Sequence, residues 1–384
     1  MRRQFEAMVI GGGPAGLAAA LALNDKGLAV ALVSGGRPPP GDGRCIAVMQ
    51  RGLAYLSSLV PGFGDGGDIG TPLNAIRIID ATGALLKAPT VTFKAAEIDL
   101  PCFGLAVPAD KLAARLRAEA ESRGIEVFDS ALTRLIAGER EAHLTCDDGA
   151  AFGAALVVGA DGARSLVRTQ AHIPARDWSY PQVALTCIVR HIRDHEDIST
   201  EFHTREGPFT LVPNGERESS IVWMVSPGHA RRLAALDDAA FALAAERQCQ
   251  SLLGAFTVKG RRGHYPMRGL LAADPTGRRV ALVGEAAHVF PPIGAQGLNL
   301  GLRDVASLAK AMPASGGGPG APETLARYRA ARRGDLTVRT VAVDALNRSL
   351  LSSFLPVQVA RHAGFSLLGA VAPLRRLVMR AGMA

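Results

Sequence analysis

With 384 residues, 48% of them hydrophobic and 20% charged, the chain is a folded polypeptide too long for a single core, which excludes disorder, collagen and coiled coil as descriptions of the whole. Five cysteines (Cys45, Cys102, Cys146, Cys187 and Cys249), none within forty residues of another, exclude a disulfide framework and a CxxC metal site and leave reduced thiols in a cytoplasm as the plain expectation. The net charge of +8 is concentrated: ten arginines against Glu323, Asp335 and Asp344 put +7 into the last sixty-four residues, and no acid occurs from Ala345 onward.

At the N-terminus, Arg2 and Arg3 before the apolar run Ala7 to Leu23 imitate a secretory signal, but Glu6 and Gly11-Gly12-Gly13-Pro14 do not suit one. The same residues read better as a strand over Ala7–Ile10, a glycine turn, a helix over Leu17–Asp25 and a second strand over Leu28–Val33. Pro38 to Gly43 is a loop, and Cys45–Leu59 is predicted to be one helix. Asp110–Arg123 is amphipathic, with Leu112, Leu116 and Ala120 on one face. Strands follow at Ile125–Phe128, Leu132–Ile136, His143–Cys146 and Ala155–Val158. From Trp178 to Arg268 the pattern changes to antiparallel strands at Gln182–Arg190, Ser199–Thr204, Phe209–Val212 and Ser220–Val225, interrupted by one helix, Ala230–Cys249. Arg279–Val283 returns to strand, Leu298–Met312 is helical, and Pro313–Gly320 is the clear linker. A long helix from Pro322 to about Leu355 leads into a hydrophobic tail broken by Pro356 and Pro373. No window of about 18 residues is continuously apolar, so no transmembrane helix is expected.

Three blocks carry chemistry. The first is Gly11-x-Gly13-x-x-Gly16 between a strand and a helix. Its first glycine permits a tight turn, its second lets backbone approach a pyrophosphate, and its third lets helix and strand pack closely. An acid is expected about 20 residues further on to hold an adenosine ribose. Here that spot reads Val33-Ser34-Gly35, and Ser34 offers one hydrogen bond in place of a carboxylate's two. The second block runs from Val157 through Gly159-Ala160-Asp161-Gly162 to Arg168. The third is Val280 through Gly284-Glu285-Ala286-Ala287-His288, continuing as Pro291-Pro292-Ile293-Gly294-Ala295-Gln296-Gly297-Leu298-Asn299-Leu300-Gly301-Leu302-Arg303-Asp304. Taken singly, Asp-Gly after a strand is a turn and Gly-Ala-Gln-Gly before a helix is a cap.

The order of these blocks, with Asp42-Gly43-Arg44-Cys45-Ile46-Ala47-Val48, Gly207-Pro208-Phe209-Thr210-Leu211-Val212-Pro213 and the arginine-bearing apolar C-terminus, resembles the flavin-dependent aromatic hydroxylases. More narrowly, it resembles the ubiquinone-biosynthesis FAD-dependent hydroxylase family, over nearly the whole chain. The resemblance implies FAD as cofactor and NAD(P)H as a transient reductant. It implies that Gly11, Gly13 and Gly16, with Pro14 and Ala15 of the same turn, cradle the diphosphate. It places Ser34 toward the adenosine and Arg44 beside the diphosphate or ribityl chain. Asp161 and Gly162 would approach the diphosphate and serve the passing nicotinamide. Glu285, after Gly284, would hydrogen-bond the ribityl hydroxyls. Pro292, Gly294, Ala295, Gln296, Gly297, Leu298 and Asn299 would wrap the isoalloxazine, with a helix N-terminus at its N1–C2=O region. The family commonly has Asp at Glu285 and Gly at Ala295; with Ser34, these departures bear on the tightness of FAD binding.

The fold so implied is α/β: a glutathione-reductase-like FAD-binding Rossmann domain in two parts (1–177 and 269–312), an inserted antiparallel β-sheet substrate domain (178–268) and a helical C-terminal region (321–384). The implied activity is monooxygenation, in which a flavin C4a-hydroperoxide formed from O2 hydroxylates the aromatic ring of a polyprenylated phenol in ubiquinone biosynthesis. Such chemistry needs no nucleophile and no metal. The catalytic base is unassigned: His203, His264, Tyr265 and His288 are candidates, His288 has the best position, and a lone histidine is more often structural. In the tail, Phe354, Leu355, Val357, Val359, Phe365, Leu367, Leu368, Leu374, Leu377, Val378 and Met379 alternate with Arg361, Arg375, Arg376 and Arg380. An acid-free apolar and cationic segment suits an anionic bilayer, hence a peripheral place on the inner face of the cytoplasmic membrane; a helix packed on the FAD domain is the equal alternative. Nucleic acid is not an expected partner, whereas members of a ubiquinone-biosynthesis complex are. Two other readings stay open: a non-catalytic scaffold of such a complex, and a hydroxylase of a small soluble aromatic.

Overall fold

Two eight-stranded sheets and a three-stranded one organise the residues that the computed structural model describes, which are 3–35, 44–64, 69–83, 87–291, 296–313, 317–334 and 355–383. The first sheet has a parallel centre in the order Val280–Leu282, Ala151–Gly159, Arg3–Ile10, Val30–Val33, Glu126–Phe128. Ala7–Ile10 and Val30–Val33 are buried on both faces, as a central parallel strand requires, and this is why they read as unbroken apolar runs. The helix Pro14–Asn24 starts on a proline in its first turn and is built almost wholly of Ala and Leu. It is buried from Gly16 to Leu23 because the helices Ala109–Ser122 and Gln296–Ala311 cover the side that the sheet does not. Leu112, Leu116 and Ala120 face inward from Ala109–Ser122, as their spacing predicts.

The second sheet is mixed, in the order His288–Val289, Phe256–Ala272, Ala175–His191, Glu218–Val225, Pro208–Pro213, Ile198–His203, Ala75–Asp80, Val91–Lys94. All neighbours are antiparallel except Ile198–His203 with Ala75–Asp80. The chain is therefore α/β with mixed sheets. Residues beyond 178–268 enter this sheet, at 75–80, 91–94, 175–177, 269–272 and 288–289. Two strands of seventeen residues, Ala175–His191 and Phe256–Ala272, form its backbone, with register shifts between Ser179 and Val183 and between Thr186 and Ile188. The second of these, rich in Gly and Arg, was not among the predicted strands.

Several predicted elements are corrected. Cys45–Leu59 is not one helix: Cys45–Met49 is a strand paired antiparallel with Gly104–Pro108, and only Gln50–Leu59 is helical. A short apolar run is ambiguous until a partner decides, and here the strand Gly104–Pro108 and the Asn299 amide supply one. Ala230–Cys249 is two helices, Pro227–Ala234 and Asp238–Gln248, because Asp237 caps the second, accepting from Ala240 N at 2.8 Å. The end of the predicted linker is packed: Pro319 and Gly320 are buried, and a Cβ at Gly320 would collide with the Ala155 carbonyl oxygen. Residues 322–334 are helical, and 335–354 lie outside the described residues. The tail is divided at Val371, between the helices Leu355–Ala370 and Ala372–Met383, and Pro356 and Pro373 each sit in the first turn of one of them. That hairpin rests beside the second sheet through Met379, which joins Leu73, Ala95, Ile98, Phe103 and Ala106 in a small core, and through Arg375, paired with Glu97 at 2.7 Å. No helix among the described residues is long and apolar enough to cross a membrane.

Candidate functional site

The opening strand ends at Ile10 and the chain turns at Gly11, whose φ is +120°. A Cβ there would strike the Ala160 carbonyl oxygen, and one at Gly16 would strike the Gly11 carbonyl oxygen. Strand, helix and the Ala160–Asp161 turn therefore close on one another without room for a side chain. Gly13 differs: a Cβ there would meet nothing within 4 Å. The loop is thus tight toward the protein and open outward at the N-terminus of Pro14–Asn24, an arrangement that fits a diphosphate. Gly12 lies against Ser34, a Cβ on it standing 2.6 Å from Ser34 Oγ, so the residue in the place of the missing acid adjoins the glycine turn.

The second block meets the first at Ala160. Asp161 turns its carboxylate inward, accepting from Ser165 Oγ at 2.5 Å, Leu166 N at 2.7 Å and Val167 N at 3.1 Å. Its side chain serves the start of the helix Leu166–Gln170, and Gly162, at φ +79° with open space beside it, is the freer neighbour. Arg168 is buried and braces this block against the third, donating to Ala286 O at 2.8 Å and Ala163 O at 3.0 Å.

In the third block, Gly284 opens a tight turn at φ +59°, and a Cβ on it would lie 3.2 Å from the Ala15 Cβ of the glycine loop. Glu285 is exposed on that turn. Gly284 N donates to Asp304 Oδ2 at 2.9 Å, and the same carboxylate takes His288 Nε2 at 2.7 Å and Arg332 Nε at 2.7 Å. Pro292, Gly294 and Ala295 lie outside the described residues, as does the Gln296 side chain. Gly297 is exposed with open space around it, and Leu298 packs on the main core. Asn299 clips two elements together: Oδ1 accepts from Met49 N at 3.0 Å and Nδ2 donates to Ala47 O at 2.8 Å. This draws the strand that follows Arg44 to the start of the helix Gln296–Ala311. The Arg44 guanidinium lies over the Tyr265 ring, 4.9 Å from its centroid. Cys45 beside it is half-buried, its thiol pushed up to about 12 by desolvation, and it donates to Asn214 Oδ1 at 3.2 Å, which suits packing rather than nucleophilic work.

The structure thus brings Gly11–Gly16, Ser34, the Ala160–Gly162 turn and Gly284 into one neighbourhood, and sets Arg44 over Tyr265 just before the Cys45–Met49 strand that Asn299 holds. Of the histidines, His288 is 2% exposed, stacked on Phe290 and bonded to Asp304; His203 is buried with Nε2 on Glu201 at 2.7 Å; His264 is exposed on the long strand. The sequence reading quoted Arg168 and Asp304 as the ends of the second and third blocks without assigning them a role, and singled out neither Arg332 nor Tyr328; all four are buried. For Asp304 a signal existed, an acid four residues after Leu300 on an apolar helix face; for Arg332 and Tyr328, far along the chain, none did.

The family model described as FAD binding domain matches residues 4–339. A ubiquinone hydroxylase, UbiL of Rhodospirillum rubrum, is 34% identical over 98% of this chain and 89% of its own. The chain belongs to the ubiquinone-biosynthesis FAD-dependent hydroxylase family. The 3-demethoxyubiquinol 3-hydroxylase of Escherichia coli is 27% identical, covering 98% of this chain and 97% of that protein. Among solved structures, p-nitrophenol 4-monooxygenase PnpA of Pseudomonas putida DLL-E4 superposes with a TM-score of 0.81 at 19% identity, covering 100% of this chain and 99% of the other, a likeness of fold. This hydroxylase is an FAD enzyme of the aromatic monooxygenase class, and its glycine loop has the shape that the cofactor's diphosphate needs.

Proposed function

We propose that this hydroxylase adds oxygen to the aromatic ring of a polyprenylated phenol in ubiquinone biosynthesis, with O2 as cosubstrate and NAD(P)H or another donor as reductant. The observation that carries the proposal is the 34% identity to a ubiquinone hydroxylase across nearly the whole chain. We read the first sheet as a glutathione-reductase-like FAD domain, the second as the inserted substrate domain, and the tail as a helical extension.

The chemistry supplied by bound FAD is electron acceptance and activation of O2. The chain's own residues bind, orient and shield. Gly11, Gly13 and Gly16, with Pro14 and Ala15, receive the diphosphate at a helix N-terminus. Ser34 meets the adenosine side with one hydroxyl. Arg44 leaves the Tyr265 face to neutralise phosphate, the guanidinium being a fork that suits both partners. Asp161 contributes backbone, since its carboxylate is engaged, and Gly162 leaves room for a visiting nicotinamide. Glu285 reaches the ribityl hydroxyls. Pro292, Gly294, Ala295, Gln296, Gly297 and Leu298 are the residues that would hold the ring, and Asn299 would serve through the strand that it clips. The positive end of the helix Gln296–Ala311 favours negative charge on the reduced ring.

The C-terminal hairpin supports a substrate that partitions into lipid. Its inner side holds Met379 and Arg375, while Leu377 is 64% and Leu367 51% exposed, with Val371 and Val378 also outward and Arg376 and Arg380 among them. We propose that this face rests on the anionic inner surface of the cytoplasmic membrane, near other proteins of the same biosynthesis.

The test supplies flavin-loaded protein with a prenylated phenol in vesicles, labelled O2 and NADPH or a chemical reductant. A product that has gained one labelled oxygen on the ring is expected. Reductant consumed with only H2O2 formed, on prenylated and unprenylated phenols alike, would reject the proposal.

A further inference from the structure

We infer that Asp304 is a positioning residue for the Gly284–Ala286 turn, and that Arg332 of the helix over 322–334 is the charge that lets it act. Asp304 is 0% exposed, and a lone carboxylate in such a place is strongly disfavoured. Here it is fully committed. Oδ2 accepts from Gly284 N and His288 Nε2, and Oδ1 accepts from Arg332 Nε, whose own residue is 3% exposed. An ionised carboxylate only accepts, so His288 carries a proton on Nε2 and its ring is set by the acid, not the reverse.

The turn is held at both ends. Asp304 grips the Gly284 N–H, and Arg168 grips the Ala286 carbonyl. Between them stands Glu285, and Gly284 itself approaches Ala15 of the glycine loop. A slip of this turn therefore moves the outward acid and the seat of the loop together. The same helix makes a second, separate bond one turn before Arg332: Tyr328 donates its hydroxyl to Leu282 O at 2.7 Å, on the strand that leads into the turn. Residues twenty and forty-eight positions beyond Gly284 thus set its geometry without touching the bound ligand's place.

The experiment compares Asp304→Asn, Arg332→Met, Arg332→Lys and Tyr328→Phe in the full chain, reading the FAD dissociation constant by flavin fluorescence and the melting temperature of the FAD-free protein. An amide at 304 can accept on one side only, so Asp304→Asn and Arg332→Met should weaken FAD binding by about tenfold or more. Arg332→Lys keeps the charge and should restore affinity to within about threefold. Tyr328→Phe loses the bond to Leu282 and should lower the melting temperature while leaving FAD affinity in place. The inference is overturned if Asp304→Asn and Arg332→Met bind FAD within about twofold of the parent. It is equally overturned if affinity falls in step with melting temperature across all four, Tyr328→Phe included. Should Asp304→Asn not fold, the Arg332→Met and Arg332→Lys pair decides.

Discussion

Asn299 holds Met49 from across the chain: the side-chain oxygen takes the Met49 N–H at 3.0 Å while the amide nitrogen gives to Ala47 O. Met49 ends a strand and opens a helix, so its N–H has no intrahelical partner of its own. Asn299→Leu should cost about 1–3 kcal/mol in urea unfolding, since two backbone groups lose their partners. It should also weaken FAD binding, because Arg44 precedes the strand that comes loose. Unchanged FAD affinity in a destabilised Asn299→Leu protein would separate Arg44 from the cofactor.

Gly13 and Gly16 make a matched pair of tests. Alanine at Gly13 meets open space, so the FAD-free protein should melt within a degree or two of the parent, as harmless substitutions do, while FAD binding falls by about tenfold. Alanine at Gly16 meets the Gly11 carbonyl and should destabilise the FAD-free fold by about 1–3 kcal/mol. Calorimetry of both proteins with and without FAD distinguishes the two outcomes.

The outer face of the C-terminal hairpin should bind vesicles containing anionic lipid and ignore neutral ones. Leu377→Glu places a charge on its most exposed apolar position and should lower the bound fraction several-fold in sedimentation, consistent with loss of about 2 kcal/mol of apolar contact. Arg376→Glu should do the same and flatten the salt dependence. Binding to anionic vesicles that neither change alters would assign the membrane contact elsewhere.

Docking of that hairpin should depend on pH in the acidic range. Burial acts to raise the Glu97 pKa, but the hydrogen bond and charge of Arg375 outweigh it and hold the carboxyl below the usual carboxylate range. A depressed folded-state pKa contributes stability above the unfolded value, about 4.3, and loses it as pH falls through the folded one. The hairpin should therefore become more susceptible to an acid-active protease below about pH 4, and Glu97→Gln should be cut there faster than the parent by a neutral protease already at pH 7.

Much of the first sheet was legible because its signals are local. Ala7–Ile10 and Val30–Val33 are apolar runs bounded by glycine, and the spacing of Leu112, Leu116 and Ala120 belongs to a helix alone. Phe256–Ala272 was not, since Lys259, Gly260, Arg261 and Gly263 do not look like a strand until Ala175–His191 lies beside them. Cys45–Met49 misled for the same reason. The glycine loop could be read with its chemistry, because each glycine answers to a steric demand within a few residues. The support of the third block could not: Asp304, Arg332 and Tyr328 have meaning only once a distant helix is docked.

The strand pairing also has a consequence for how the chain must be made. Arg3–Ile10 is made before the other described strands, yet one of its neighbours, Ala151–Gly159, comes about 140 residues later, and that strand waits in turn for Val280–Leu282. The second sheet is interleaved in the same way: Ala75–Asp80 can pair early with Val91–Lys94, but its other edge stays open until Ile198–His203 is synthesised. No prefix of the chain short of Leu282 can complete the central sheet, and none short of Arg332 can neutralise Asp304. Nascent chains consequently carry unpaired apolar edges for most of translation, a period in which they need a chaperone's protection. Late truncations should behave as failures of assembly, lost to proteolysis, rather than as enzymes lacking an appendage.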